Sequence, residues 1–93
     1  MNSQTNRQLT LNGGLSLETL VEQKLNSAMQ GIEKLEQGDL YNLVLAQVER
    51  PLIRCVLENT GGNQLRAADI LGLNRNTLRK KIRELEIELP QKT

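Results

Sequence analysis

The feature that most constrains the fold is the kind of apolar side chain that this chain uses, which is almost entirely aliphatic. Eighteen of the 93 residues are leucine, and Tyr41 is the only aromatic residue. Aromatic and β-branched side chains favour strands, whereas leucine favours helices, so the composition predicts an all-α fold. A chain of this length buries only about 60% of the surface that it exposes when unfolded, which makes an oligomer the expectation.

The composition also excludes several kinds of site. The chain has no histidine and one cysteine, Cys55, which excludes an internal disulfide and a thiolate cluster for zinc. We therefore expect no metal, no cofactor and no enzymatic activity. No apolar run approaches the roughly 18 residues of a membrane span, and no signal segment opens the chain, so a cytoplasmic location without a membrane partner is expected. Cys55 itself is predicted to be a small core residue.

The first 14 residues are polar and contain the turn signal Asn12-Gly13 between two short alternating segments. An Asn-Gly loop is typical of a β-hairpin, but an isolated hairpin is only marginally stable in water. We predict a flexible N-terminal arm over residues 1–14, with the hairpin as the alternative.

Two amphipathic helices are predicted to follow the arm. Ser16 is a suitable N-cap for the first helix, which should end near Gly38. The second helix should run from about Asp39 to the double glycine at Gly61-Gly62, with a kink at Pro51. In the first helix, the apolar residues recur at spacings of four and three, close to the 3.5-residue period of a helix–helix seam. This seam consists of Leu17, Val21, Leu25, Ala28, Ile32 and Leu35 in the first helix, and Val44, Val48, Leu52 and Val56 in the second.

One chain of this size cannot bury the apolar residues that both helices contribute to this seam. A homodimeric four-helix bundle would cover them, so residues 15–61 are predicted to form the dimerisation segment. The alternative is a helical hairpin that packs only on the C-terminal helices of its own chain.

Residues 62–93 are predicted to form a helix-turn-helix. Asn63 and Asn74 are suitable N-caps for two short helices, and Gly72 can form the turn between them. Ala68 is small enough to let two steeply crossing helices approach each other. The spacing of these residues therefore fits helix-turn-helix geometry.

The second of these helices carries concentrated positive charge. From Asn63 to Arg83 there are six basic residues and one acid, Asp69, although the net charge of the whole chain is only +1. On a helical wheel, Leu78, Ile82 and Leu85 form the core stripe. The residues opposite this stripe are Asn76, Arg79, Lys80 and Arg83, with Arg75, Thr77 and Lys81 beside them. Such side chains donate to phosphates and base edges, so the pattern predicts binding of double-stranded DNA rather than a merely solvated helix face.

At these residues the chain resembles the Fis family, which includes the bacterial nucleoid protein Fis and the C-terminal DNA-binding domains of NtrC-type activators. The matching segments lie between Asp39 and about Ile87, and they are 39–41, 44–46, 48–49, 51–52, 62–64, 66–68, 74–75 and 77–81. The resemblance implies a homodimer with the first two helices in the bundle and the last in the major groove. It also implies DNA bending, because the two recognition helices of the family lie closer together than one DNA turn.

The resemblance further implies which residues contact DNA. Arg75 and Lys80 would reach into the groove. The other implied contacts, mainly to phosphates, are Asn63, Asn74, Thr77, Arg79, Lys81 and Arg83. Leu65 stands where Fis has a hydroxyl, and Glu84 stands where Fis has lysine, so both changes weaken phosphate binding.

The residue Asn76, in place of the glycine of Fis, makes the last helix more similar to the NtrC-type domain. Two identities therefore stay open: a free-standing Fis-like protein, which the initial Met favours, and a detached domain of a nitrogen-regulation activator. Either would be a sequence-specific transcription regulator on the bacterial nucleoid, with a recombinase or the transcription machinery as a further partner. The alternative from another class is a helical dimerisation or adaptor protein that does not bind DNA.

Overall fold

The computed structural model of the chain describes residues 9–11, 13–30 and 38–90. The described residues contain four α-helices, which are α1 (Leu17–Gln30), α2 (Leu40–Asn59), α3 (Gln64–Leu71) and α4 (Arg75–Glu84). The all-α prediction is confirmed. In this part of the chain, no helix is both long and apolar enough to cross a membrane. The chain divides into two units, Met1–Leu35 and Glu36–Thr93.

The first unit contains a short antiparallel pairing before α1. Thr10 and Ser16 form an isolated antiparallel bridge, and the backbone N–H of Leu17 donates to the carbonyl of Leu9 at 2.8 Å. This is the pairing of the hairpin alternative. Residues 1–8 of the predicted arm, and Asn12 of its turn signal, lie outside the described residues.

The helix α1 begins as the sequence predicts. The Ser16 hydroxyl accepts a hydrogen bond from the backbone N–H of Thr19 at 3.1 Å, which confirms Ser16 as the N-cap. None of the residues of α1 is buried. The rest of the predicted first helix, with the seam residues Ile32 and Leu35, falls in residues 31–37, which lie outside the described residues.

The second unit is organised around one small aliphatic core. Each of its three helices contributes to this core, as does the segment that follows α4. The core residues, all less than a tenth exposed, are Ile53, Leu57, Ala67, Ala68, Leu78 and Ile87. Partly buried residues pack around them, namely Val56, Leu71, Leu73, Ile82 and Leu85. The predicted core stripe of α4 is therefore confirmed.

Three helices of this unit end in the same kind of left-handed turn. In each, one residue has positive φ, and the next residue donates a backbone hydrogen bond to the carbonyl five positions before it, as in a Schellman motif. The residues with positive φ are Gly61 (63°), Gly72 (74°) and Glu86 (54°). The closing bonds run from Gly62 to Leu57, from Leu73 to Ala68 and from Ile87 to Ile82, at 2.8, 2.9 and 3.0 Å. These turns fix where the helices stop, and the last one directs Ile87 into the core.

The prediction that Cys55 is a core residue is wrong, because its side chain is exposed. The buried face of α2 is centred on Ile53 and Leu57. Cys55 lies roughly 200° around the helix from Ile53, on the opposite face. Val56, which the sequence places in the dimer seam, lies only about 60° from Ile53 and packs against the core of its own chain.

Candidate nucleic-acid interface

The two helices of the predicted helix-turn-helix begin at the residues that the sequence indicates. The Oδ1 atom of Asn63 accepts a hydrogen bond from the backbone N–H of Arg66 at 3.1 Å. The Oδ1 atom of Asn74 accepts one from the backbone N–H of Asn76 at 2.7 Å. Both asparagines have extended backbone, as N-cap residues do. The start of each helix is therefore determined by its own sequence.

Small and apolar side chains hold α3 against α4. Ala67 and Leu78 are fully buried, and Ala68 is only 2% exposed. A larger residue at either alanine would push the two helices apart, because both side chains lie inside the core. Gly72 takes positive φ in the turn, a conformation that a side chain disfavours. The helix-turn-helix prediction is borne out by this arrangement.

The outer face of α4 is a continuous polar surface, which we call the basic face. Its residues are all exposed, and they are Arg75, Asn76, Thr77, Arg79, Lys80 and Arg83. The first turn of α4 contains no acidic residue. The structure therefore brings six of the predicted contact residues together on one accessible face, with four positive charges.

Lys80 has one acidic neighbour on this face. Its Nζ atom lies 4.0 Å from a carboxylate oxygen of Glu84, one turn later, and both side chains are more than half exposed. Such exposed pairs contribute little free energy and separate easily. The Lys80 ammonium is therefore accessible to another anion.

Lys81 is placed differently from the other predicted contact residues. Its side chain is only 30% exposed, and its Nζ donates a hydrogen bond to Oε2 of Glu49 in α2 at 2.8 Å. The neighbouring Arg50 donates from Nε to the carbonyl of Leu85 at 3.0 Å. Two consecutive charged residues of α2 thus contact the C-terminal half of α4 and the residue that follows it.

Sequence reasoning missed Glu49 and Arg50. The only signal was a pair of opposite charges inside the apolar run of the second helix. Such a pair does not reveal its partners, because Lys81 lies 32 positions away from Glu49.

Two further positions bear on DNA contact. Asn63, the N-cap of α3, is exposed, and its amide nitrogen takes no part in the cap. Leu65, where the resemblance implies a hydroxyl in Fis, is 57% exposed and offers no hydrogen bond from its side chain. Among the described residues, there is no group of three or more side chains that could hold a metal ion.

Comparison with known proteins places these helices in a family. The family described as "Bacterial regulatory protein, Fis family" matches residues 44–85, which include most of α2 and all of α3 and α4. The DNA-binding protein Fis of Haemophilus influenzae (strain PittEE) is 44% identical over 68 residues, which are 73% of this chain and 69% of that protein.

The chain is also similar to much longer regulators. The DNA-binding transcriptional regulator NtrC of Rhizobium meliloti (strain 1021) is 49% identical over 78 residues, 83% of this chain but 16% of that protein. The regulator of the same name from Azospirillum brasilense is 58% identical over 55 residues, 59% of this chain and 11% of that protein. The chain thus spans less than a fifth of these NtrC regulators but about two thirds of Fis. With the helix-turn-helix and its caps in place, these matches show that the chain belongs to the Fis family of bacterial regulatory proteins.

Proposed function

We propose that this chain is a DNA-binding transcription regulator that acts as a homodimer and bends the DNA that it binds. The observation that carries the proposal is the basic face of α4, where four cationic side chains stand exposed on a helix whose opposite side is fixed in the core. Neutralising phosphates supplies most of the affinity of such proteins for DNA, and a rigid helix of this size fits the major groove. The names of its relatives, DNA-binding transcriptional regulator NtrC and DNA-binding protein Fis, agree with this role.

We propose that Arg75 contacts the base edges. It occupies the first turn of α4, and recognition helices contact bases mainly with their N-terminal residues. Its planar guanidinium can donate two hydrogen bonds to the O6 and N7 atoms of one guanine. Lys80 is proposed to reach into the same groove.

The remaining proposed contacts position the protein on the phosphates. Arg79, Arg83 and Thr77 are exposed on the basic face. Asn63 and Asn74 use Oδ1 as helix caps, so the NH₂ group of each amide remains as a donor to a phosphate oxygen. Asn76 completes this set. The residue Lys81 is a separate case because of its partner Glu49.

The homodimer is supported by a stripe of apolar residues that α2 leaves exposed. Tyr41, Leu45, Val48 and Leu52 recur at spacings of four, three and four, and each is at least 39% exposed. Cys55 continues the stripe three residues later. This is the period of a helix–helix seam, and an exposed apolar seam is typical of a surface that another helix covers.

We therefore propose that a second copy of the chain covers both this stripe and the apolar residues of α1. Within the predicted seam, Val48 and Leu52 belong to the exposed stripe, whereas Val56 packs into the core of its own chain. The α1 residues Leu17, Val21, Leu25 and Ala28 are all incompletely covered. The dimer would present two copies of α4 to the DNA, and the family resemblance implies bending as the way in which both reach the groove.

The proposal is tested by fluorescence anisotropy of a labelled DNA duplex, titrated with wild-type protein at several salt concentrations. Arg79→Ala removes a charge from the basic face, and Arg54→Ala is the matched control, an exposed arginine of α2. Arg79→Ala should flatten the slope of log affinity against log salt by about 0.9 per bound protomer, and Arg54→Ala should leave it unchanged. Absence of salt-dependent binding by the wild type would refute the proposal and favour the adaptor alternative.

A further inference from the structure

The basic residues of α4 fall into two groups by environment. Arg75, Arg79, Lys80 and Arg83 are exposed, and the Lys80 side chain is 65% accessible. Lys81 is 30% accessible and hydrogen-bonded to Glu49, whose side chain is 24% accessible. The family resemblance places all five cations among the DNA contacts, but their surroundings in the structure differ.

The pair between Glu49 and Lys81 is short and partly shielded from water. The Nζ–Oε2 distance of 2.8 Å is that of a charge-assisted hydrogen bond. Shielding strengthens the attraction, and it also makes an unpaired charge at the same place more costly than at the surface. The exposed pair of Lys80 and Glu84, at 4.0 Å, has neither property.

A second contact keeps this part of α4 next to α2. Arg50 donates to the carbonyl of Leu85, just after the last turn of α4, where helix carbonyls carry partial negative charge. Leu78 and Ile82 fix the same side of α4 to the core. Because the helix that carries Lys81 is held in place, its ammonium stays beside the Glu49 carboxylate, which already balances its charge.

We propose that Glu49 withholds Lys81 from DNA, an inference that rests on the DNA binding proposed above. The Glu49 carboxylate takes the place that a phosphate oxygen would otherwise occupy beside the Lys81 ammonium. The recognition helix then offers DNA four neutralising cations from α4 rather than five. Glu49, in α2, thereby lowers the sequence-independent part of the affinity for DNA.

The test is a set of salt titrations on one duplex with full-length protein, comparing the wild type with Glu49→Gln, Lys81→Met and the double variant. Glutamine and methionine preserve the length of the replaced side chains and are good helix formers. The double variant removes both charges and so leaves neither partner unpaired. Lys80→Met is the matched control for the loss of an exposed lysine, and melting curves verify that each variant is folded.

If Glu49 withholds Lys81, Glu49→Gln steepens the slope of log affinity against log salt by about 0.9 per bound protomer. Its affinity then falls roughly 3.5-fold more per bound protomer than that of the wild type between 50 and 200 mM salt, which is roughly 12-fold for a homodimer. The double variant keeps the wild-type slope, whereas Lys80→Met loses about 0.9.

The inference is overturned if the double variant loses as much slope as Lys80→Met, because Lys81 would then contact a phosphate in the wild-type complex. An unchanged slope for Glu49→Gln would overturn it as well. These results are distinct from failure of the proposed function, in which the wild type itself would not bind the duplex.

Discussion

Replacing Glu86 by glycine should stabilise the second unit by relieving backbone strain after α4. Glu86 has φ of 54° and is the only non-glycine residue with positive φ in the described part of the chain. The two corresponding turns, after α2 and α3, have glycine at this position. The left-handed turn at Glu86 forms despite this strain, because it places Ile87, which is 7% exposed, in the core beneath α4.

The magnitude follows from two opposing terms. A left-handed conformation costs a non-glycine residue roughly 1–2 kcal/mol, and glycine loses about 0.5–1 kcal/mol more backbone entropy on folding. The difference predicts a net stabilisation of about 0.5–1 kcal/mol. For a domain of this size, that corresponds to a rise in Tm of roughly 2–8 °C.

The assay is thermal and urea unfolding followed by circular dichroism, at one fixed protein concentration because association would also shift Tm. Removal of a negative charge after a helix C-terminus is itself favourable, so Glu86→Gln is the control for charge. Glu88→Gly is the control for an added glycine, at an exposed residue without positive φ. Glu86→Gly should exceed Glu86→Gln in stability, and Glu88→Gly should bring no gain. Equal stability of the two Glu86 variants would refute the strain argument.

Three further predictions concern DNA binding and assembly. Arg75→Ala should cost roughly 1–3 kcal/mol on a preferred duplex and much less on random DNA, as measured by competition titrations; equal losses on both would show that Arg75 does not read bases. Removal of residues 1–14 should leave duplex affinity almost unchanged, because Arg7 is their only basic residue; a large loss would place a DNA contact in the arm. The Tm of the wild type should rise with protein concentration, because the proposed homodimer couples folding to dimerisation, and a constant Tm with a monomer mass in sedimentation would contradict the homodimer.

The sequence predicts the fold best where one residue decides the local structure. Asn63 and Asn74 cap helices with their own side chains, and Gly72 forms the turn that only glycine adopts readily. Such signals lie within a few positions along the chain, so they can be found without knowing the tertiary structure. Glu86 shows the limit of this approach, because nothing in a glutamate indicates positive φ.

Features that depend on packing between helices could not be predicted in the same way. Cys55 and Val56 are neighbours in an apolar run, yet one is exposed and the other packs on the core, since the direction of the buried face depends on α3 and α4. The pairing of Glu49 with Lys81 is of the same kind. The sequence correctly indicates a basic, exposed face on α4, but it cannot show which of the cations of α4 is engaged by another helix.

The most direct test of the account is an NMR titration of ¹⁵N-labelled full-length protein with a DNA duplex, following each backbone amide. If the basic face enters the major groove, the largest shift changes should come from Arg75–Glu84 and from the amides near Asn63, and they should weaken as salt is added. Changes confined to the exposed stripe of α2, or no change at α4 with duplex in excess, would contradict the central claim that α4 recognises DNA.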